Sequence, residues 1–117
     1  MYSERLMALF HGATHAGELT EATHRGVAGA PGCGPYIALS FCVEAEVVRV
    51  ARWETYGCPA AMACAEIVCR LSEGRPLSLL QRLTADDVNR LVGGVPEGKE
   101  HCPELAAQAL TRMAATS

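Results

Sequence analysis

From Pro59 to Leu71 the chain is almost wholly apolar, and only Glu66 and Arg70 carry charge. These two stand four residues apart, so in a helix they share one stripe as an i, i+4 pair. A helix with so narrow a polar stripe is buried on most sides. The rest of the chain must therefore wrap around it. The sequence has 117 residues, which suits one domain over 1–117. Folding at this size buries about two-thirds of the unfolded surface, so no disulfide staples are needed.

The wrapping elements read as an α+β chain. Ser3 can cap a first helix, with Leu6, Met7, Leu9 and Phe10 as its apolar face and Gly12 as its stop. Residues 11–35 are glycine-rich and read as loop with at most one short strand. Tyr36 to Glu44 alternates, with Ile37, Leu39, Phe41 and Val43 on one face. Ala45-Glu46 is a tight connection with weak turn chemistry. Val47 to Tyr56 is a second strand whose alternation slips near Val50-Ala51, the mark of a bulge. Trp53 and Tyr56 are expected in the core. Leu77 to Leu83 suggests a short helix. Thr84-Ala85-Asp86-Asp87 resembles a capping box and opens a helix to Val92. Pro103 at a first helical position and Glu104 in the first turn open the last helix.

Several function classes are excluded. Net charge is −3 and no basic patch appears, so nucleic acid is not an expected partner. No signal peptide and no membrane-length apolar run is visible, which points to the cytoplasm. Thiols stay reduced there, so the six cysteines read as metal, cluster or catalytic thiols rather than bridges. The fingerprints of dinucleotide and ATP binding are absent.

Three cysteines are set to present a thiolate, the form that binds metal. Cys58 and Cys102 stand at helix starts, where free N–H groups and the dipole favour the anion. Cys33 sits between Gly32 and Gly34, in a loop whose N–H groups can point at a sulfur. His101 adds a nitrogen beside Cys102. Such a set suits a tetrahedral Zn²⁺ site or a [2Fe–2S] cluster. The blander reading is that free cysteines are small buried hydrophobes, and no C-x-x-C pair argues against it. Cys64 should be buried, Cys69 flanks the polar stripe with partial exposure, and Cys42 lies on the more polar face of its strand. His11, His15 and His24 read as solvated loop histidines.

These residues resemble the IscU/NifU-type iron–sulfur cluster assembly scaffolds over nearly the whole chain. Tyr2-Ser3 with Gly17-Glu18-Leu19 is similar to the family's start. Gly26-x-x-Gly29-x-Pro31-x-Cys33-Gly34 resembles its first cysteine loop. Thr55-Tyr56-Gly57-Cys58 resembles its second, and Gly93-Gly94-Val95-Pro96-x-x-Lys99-x-His101-Cys102 its third. The resemblance implies a three-stranded antiparallel sheet packed against an N-terminal helix and a C-terminal set of helices. It implies a scaffold or carrier rather than an enzyme. Cys33, Cys58, His101 and Cys102 would bind a [2Fe–2S] cluster, or Zn²⁺ in its absence. A cysteine desulfurase would donate sulfur, and apo iron–sulfur proteins would accept the cluster. A homo-oligomer stays open.

Two departures stand out. The family's Cys-Gly-Asp here reads Cys33-Gly34-Pro35, which removes a carboxylate and stiffens the loop. His101 is then the expected fourth protein ligand, with a loop histidine or an added thiol as substitutes, and the cluster is expected to be held more tightly. The segment Val95-Pro96-Glu97-Gly98-Lys99 departs from the family's chaperone-recognition pattern, which argues against assisted release by a dedicated chaperone. Two other functions compete: a zinc-bound sulfur acceptor of the SufU type, and a thiol-redox protein using a pair such as Cys33 and Cys102.

Overall fold

The apolar run folds as helix α2 (Pro59–Ser72), and most of its residues are buried. The computed structural model describes residues 2–116. Before α2 come α1 (Glu4–His11), β1 (His24–Gly29), β2 (Tyr36–Glu44) and β3 (Val47–Tyr56). After it come α3 (Leu77–Leu80), α4 (Ala85–Leu91), α5 (His101–Thr111) and β4 (Ala114–Ala115). The strands form an antiparallel sheet in the order β3-β2-β1-β4. The expected three strands thus gain a fourth of two alanines, which pair with His24 and Arg25 at the sheet edge. Two alanines carry no alternation, so nothing in the sequence announces them.

The inward face of β2, with Ile37, Leu39 and Phe41, is fully buried. Opposite these stand Thr55, Trp53 and Ala51 of β3. Helix α2 covers β3, and α5 lies on β1 and β2. The close approach of α5 requires Gly26: a Cβ there would run into the backbone carbonyl of Ala109 and the backbone of Met113.

The bulge stands one residue earlier than expected. Cys42 pairs with Val50 and Val43 with Val48, so Arg49 is the extra residue. The hairpin turn has φ of 50° at Ala45 and 67° at Glu46, a left-handed pair built without the usual glycine or asparagine. Ser3 caps α1 by accepting from the Leu6 N–H at 3.1 Å. Its hydroxyl also donates to the Val92 carbonyl at 3.0 Å, which ties the chain start to the end of α4. The capping box forms as expected, with Thr84 and Asp87 bonded reciprocally. The last helix starts at His101 rather than Pro103. Proline is tolerated two positions in because the first-turn N–H groups have no partner within the helix anyway.

Four side-chain expectations are corrected. Glu66 is not on a solvated stripe but fully buried. Its Oε1 accepts from Trp53 Nε1–H at 2.9 Å, the His15 N–H at 3.0 Å and the Thr14 N–H at 3.2 Å. Its Oε2 meets His15 Nδ1 at 2.7 Å and Arg70 Nε at 2.8 Å. His15 is therefore no solvated loop residue, and its Nε2 lies 2.9 Å from Glu73 Oε1. Cys69 is buried rather than partly exposed. Tyr56 is 68% exposed, whereas Trp53 is in the core as expected.

The His15 segment runs along the free edge of β3. The Trp53 N–H donates to the His15 carbonyl and the Gly17 N–H to the Trp53 carbonyl, both at 2.9 Å. Buried Glu66 thus serves as the inner anchor of a strap that covers an exposed strand edge. No helix among the described residues is long and apolar enough to cross a membrane.

Candidate metal centre

Each cysteine of the expected site comes from a different element. Cys58 is the N-cap of α2, with Pro59 at the first helical position. Cys102 lies in the first turn of α5 and is buried. Cys33 sits in the turn between β1 and β2 and is exposed. That turn is closed by the Cys33 N–H donating to the Ala30 carbonyl at 2.9 Å. At its base Gly29, with φ of 92°, packs so closely that a Cβ would overlap the Pro35 carbonyl.

The α2 and α5 starts converge. The Cys58 and Cys102 thiols come near enough to act on each other's ionisation. His101 Nε2 lies 3.6 Å from the Cys102 sulfur. The Cys33 loop instead borders a cleft of about 650 Å³ with Tyr36, Thr55 and Tyr56. Among the described residues, no three His, Cys, Asp or Glu side chains stand close enough together to hold an ion. The structure thus sets Cys58 near Cys102 and His101 beside Cys102, gathers no closed set of three among the described residues, and leaves Cys33 on its loop.

The two paired thiols are electrostatically unequal. Burial works against ionising Cys58, but the N–H groups of Ala61 and Ala60, the Lys99 ammonium and the Cys102 thiol outweigh it and draw it below the usual thiol value. Burial pushes Cys102 up to about 12, and the neighbouring Cys58 adds to the rise. The two thiols are therefore pushed in opposite directions, Cys58 toward the thiolate and Cys102 toward the protonated form. Burial also raises Cys64, which lies beneath both. Soft sulfur and imidazole are donor types that fit zinc or an iron–sulfur cluster.

Two residues at the centre were not singled out from the sequence. Tyr2 lies against Cys58, and burial together with that contact raises its phenol above the ordinary value. Lys99 lowers both thiols and the phenol. Lys99 had a faint signal, three residues before Cys102, where its carbonyl accepts the Cys102 N–H at 3.0 Å. Tyr2 had only its place in the opening motif, because its placement depends on Ser3 being fastened to α4. Cys42 stays apart, its thiol facing the Glu21 carbonyl at 3.6 Å.

Known proteins resemble this chain over nearly its whole length. The model of the NifU-like N terminal domain matches residues 1–116. The iron-sulfur cluster assembly scaffold protein IscU 1 of Archaeoglobus fulgidus is 30% identical, over 96% of this chain and 73% of its own. The IscU scaffold of Aquifex aeolicus is 30% identical, over 93% of this chain and 71% of its own. Among solved structures, a provisionally assigned cluster assembly scaffold for the SUF system from Fervidobacterium islandicum superposes with a TM-score of 0.73 at 16% identity. That match covers 94% of this chain and 93% of the other. A NifU-like N-terminal protein from Brucella abortus superposes with a TM-score of 0.61 at 18% identity, over 93% of this chain and 77% of its own. These two likenesses speak to the fold, which is the α+β arrangement expected. With a family model spanning nearly every residue and curated scaffolds matching at 30%, the chain belongs to the IscU/NifU family of iron–sulfur cluster assembly scaffolds.

Proposed function

We propose that this scaffold builds and carries a [2Fe–2S] cluster on Cys33, Cys58, His101 and Cys102, and that Zn²⁺ takes the same ligands when no cluster is present. The reading treats residues 1–117 as one scaffold domain acting in a reducing compartment, and not as an enzyme in the turnover sense. A cysteine desulfurase is the sulfur source, and apo iron–sulfur proteins are the acceptors. The observation that supports it most is that Cys58 and Cys102 stand at two helix starts, near enough to affect each other's ionisation, with His101 Nε2 3.6 Å from the Cys102 sulfur.

Exposure divides the roles. Cys33 is reachable by a partner's persulfide. Its thiolate attacks the terminal sulfur, the S–S bond breaks, and the donor's cysteine leaves as a thiolate. The lowered Cys58 thiol is suited to meet the metal first among the thiols. Retained protons at Cys102 leave as it ligates, so metal uptake releases acid.

A zinc-bound sulfur acceptor is the second reading, since thiolates and an imidazole are also the donor types of a zinc site. Metal and sulfide analysis of anaerobically purified protein separates the two: the cluster form is reddish-brown with acid-labile sulfide, and the zinc form is colourless. Changing Cys33, Cys58, Cys102 or His101 singly to Ala is expected to remove most bound metal. The loss should exceed the roughly 10–100-fold drop that follows from losing an outer-shell partner. Full retention of metal in all four variants overturns the site.

A further inference from the structure

Helix α5 presents one more donor beside the thiols. Glu104 follows His101 by three residues, so both project from one face of the helix. The two line a surface cleft of about 370 Å³, together with Pro35, Leu105 and Gln108. Pro35 belongs to the loop that carries Cys33, so this cleft joins the α5 start to the first cysteine loop. Glu104 is the sole carboxylate in that lining. Its carboxylate is exposed, no side chain caps the start of α5, and among the described residues it belongs to none of the ion pairs.

A first-turn glutamate is commonly explained by the helix dipole. That accounts for its charge but not for its place in a cleft with an imidazole and a cysteine-bearing loop. The donor chemistry is also complementary to that of the thiols. Imidazole and carboxylate suit a divalent cation that still carries water, whereas thiolates suit zinc and iron–sulfur clusters.

We propose that His101 and Glu104 form an entry site that takes up a hydrated ferrous ion before it passes to the cysteines. Binding exchanges water for an imidazole nitrogen and a carboxylate oxygen. Transfer exchanges these in turn for sulfur. Only metal–ligand bonds change, and no electron moves. The inference rests on the cluster-scaffold reading and names where the metal cargo is first held.

Cobalt(II) alone, mixed anaerobically with the protein in a stopped-flow instrument, tests this. The growth of the thiolate-to-cobalt charge-transfer band reports arrival at the cysteines. At limiting metal, Glu104→Gln is expected to slow that growth about 10-fold or more, the scale of effect that follows loss of a supporting ligand interaction. The final band and the far-ultraviolet circular dichroism should be unchanged. Growth at the wild-type rate overturns the entry site. Cys58→Ala and Cys102→Ala keep the two readings apart. If both develop the full band, the scaffold site itself is wrong. If both lose it while Glu104→Gln loads at the wild-type rate, only the entry site falls.

Discussion

Replacing Glu66 with alanine should lower stability by about 3–5 kcal/mol, the scale for removing one member of a buried charged network. For a chain of this size that is a fall in Tm of about 10–20 °C. The cause is what remains after truncation. The Trp53 indole N–H, two backbone N–H groups, His15 and Arg70 all lose their acceptor. Each buried donor left unpaired carries a desolvation cost. The strap along β3 loses its inner anchor at the same time. Glu66→Gln should fall between the two, since its amide keeps one acceptor oxygen but turns an N–H₂ toward His15 or Arg70.

The same carboxylate sets the acid limit of the fold. Burial alone would raise its pKa, but Trp53, Arg70 and His15 hold it at about 2 against an ordinary 4.5. Glu73 is likewise lowered: burial opposes ionisation, and the Ala51 N–H and His15 overcome it. A depressed folded-state value means that the stabilisation is complete above about pH 4.5 and drains away as pH falls toward about 2. Urea unfolding across that window should show a steeper loss for wild type than for Glu66→Gln. Parallel curves would mean that some other group governs acid unfolding.

Gly26→Ala is the second large effect, and it links stability to the metal centre. The added Cβ meets the Ala109 carbonyl and the Met113 backbone, neither of which is a flexible side-chain end. Helix α5 must lift from β1, at about 3 kcal/mol or somewhat more for an overpacked contact. The start of that helix carries His101 and Cys102, so their position relative to Cys58 shifts as well. Weaker zinc binding should accompany the lower Tm, though residue 26 is none of the proposed ligands. Calorimetric zinc titration beside thermal unfolding measures both. A variant that loses stability but binds zinc like wild type would show that α5 moves as a body without disturbing its first turn.

Local rules carried much of the fold. The bounds of β2 follow from strict alternation, those of α2 from the density of apolar residues, and α4 from a capping box four residues long. Contacts between distant segments were less legible. Glu66 and Arg70 look like a surface pair because their spacing is all that the helix itself reveals. The groups that bury Glu66 lie at residues 14, 15 and 53, and no local periodicity connects them. Gly26 stands out in the sequence only as part of the first cysteine motif, and the reason for a glycine there is the backbone of α5 lying across it. At the centre, the two helix-start cysteines could be read from capping logic and the family pattern. Tyr2 and Lys99 stand in that pattern too, but their nearness to Cys58 depends on how α1, α2 and α5 are stacked.

The six thiols lie at very different depths, from exposed Cys33 through half-buried Cys42 and Cys58 to buried Cys64, Cys69 and Cys102. Reactivity toward an alkylating agent follows thiolate content and access, and burial raises both Cys64 and Cys69. The chain therefore carries its own clock for unfolding. In metal-free protein the outer sulfurs should be labelled at once, while Cys64 and Cys69 take up label only at the pace at which α2 is exposed. Mass spectrometry of the labelled chain would then read the opening rate of the core from the same element that carries Cys58 at its start.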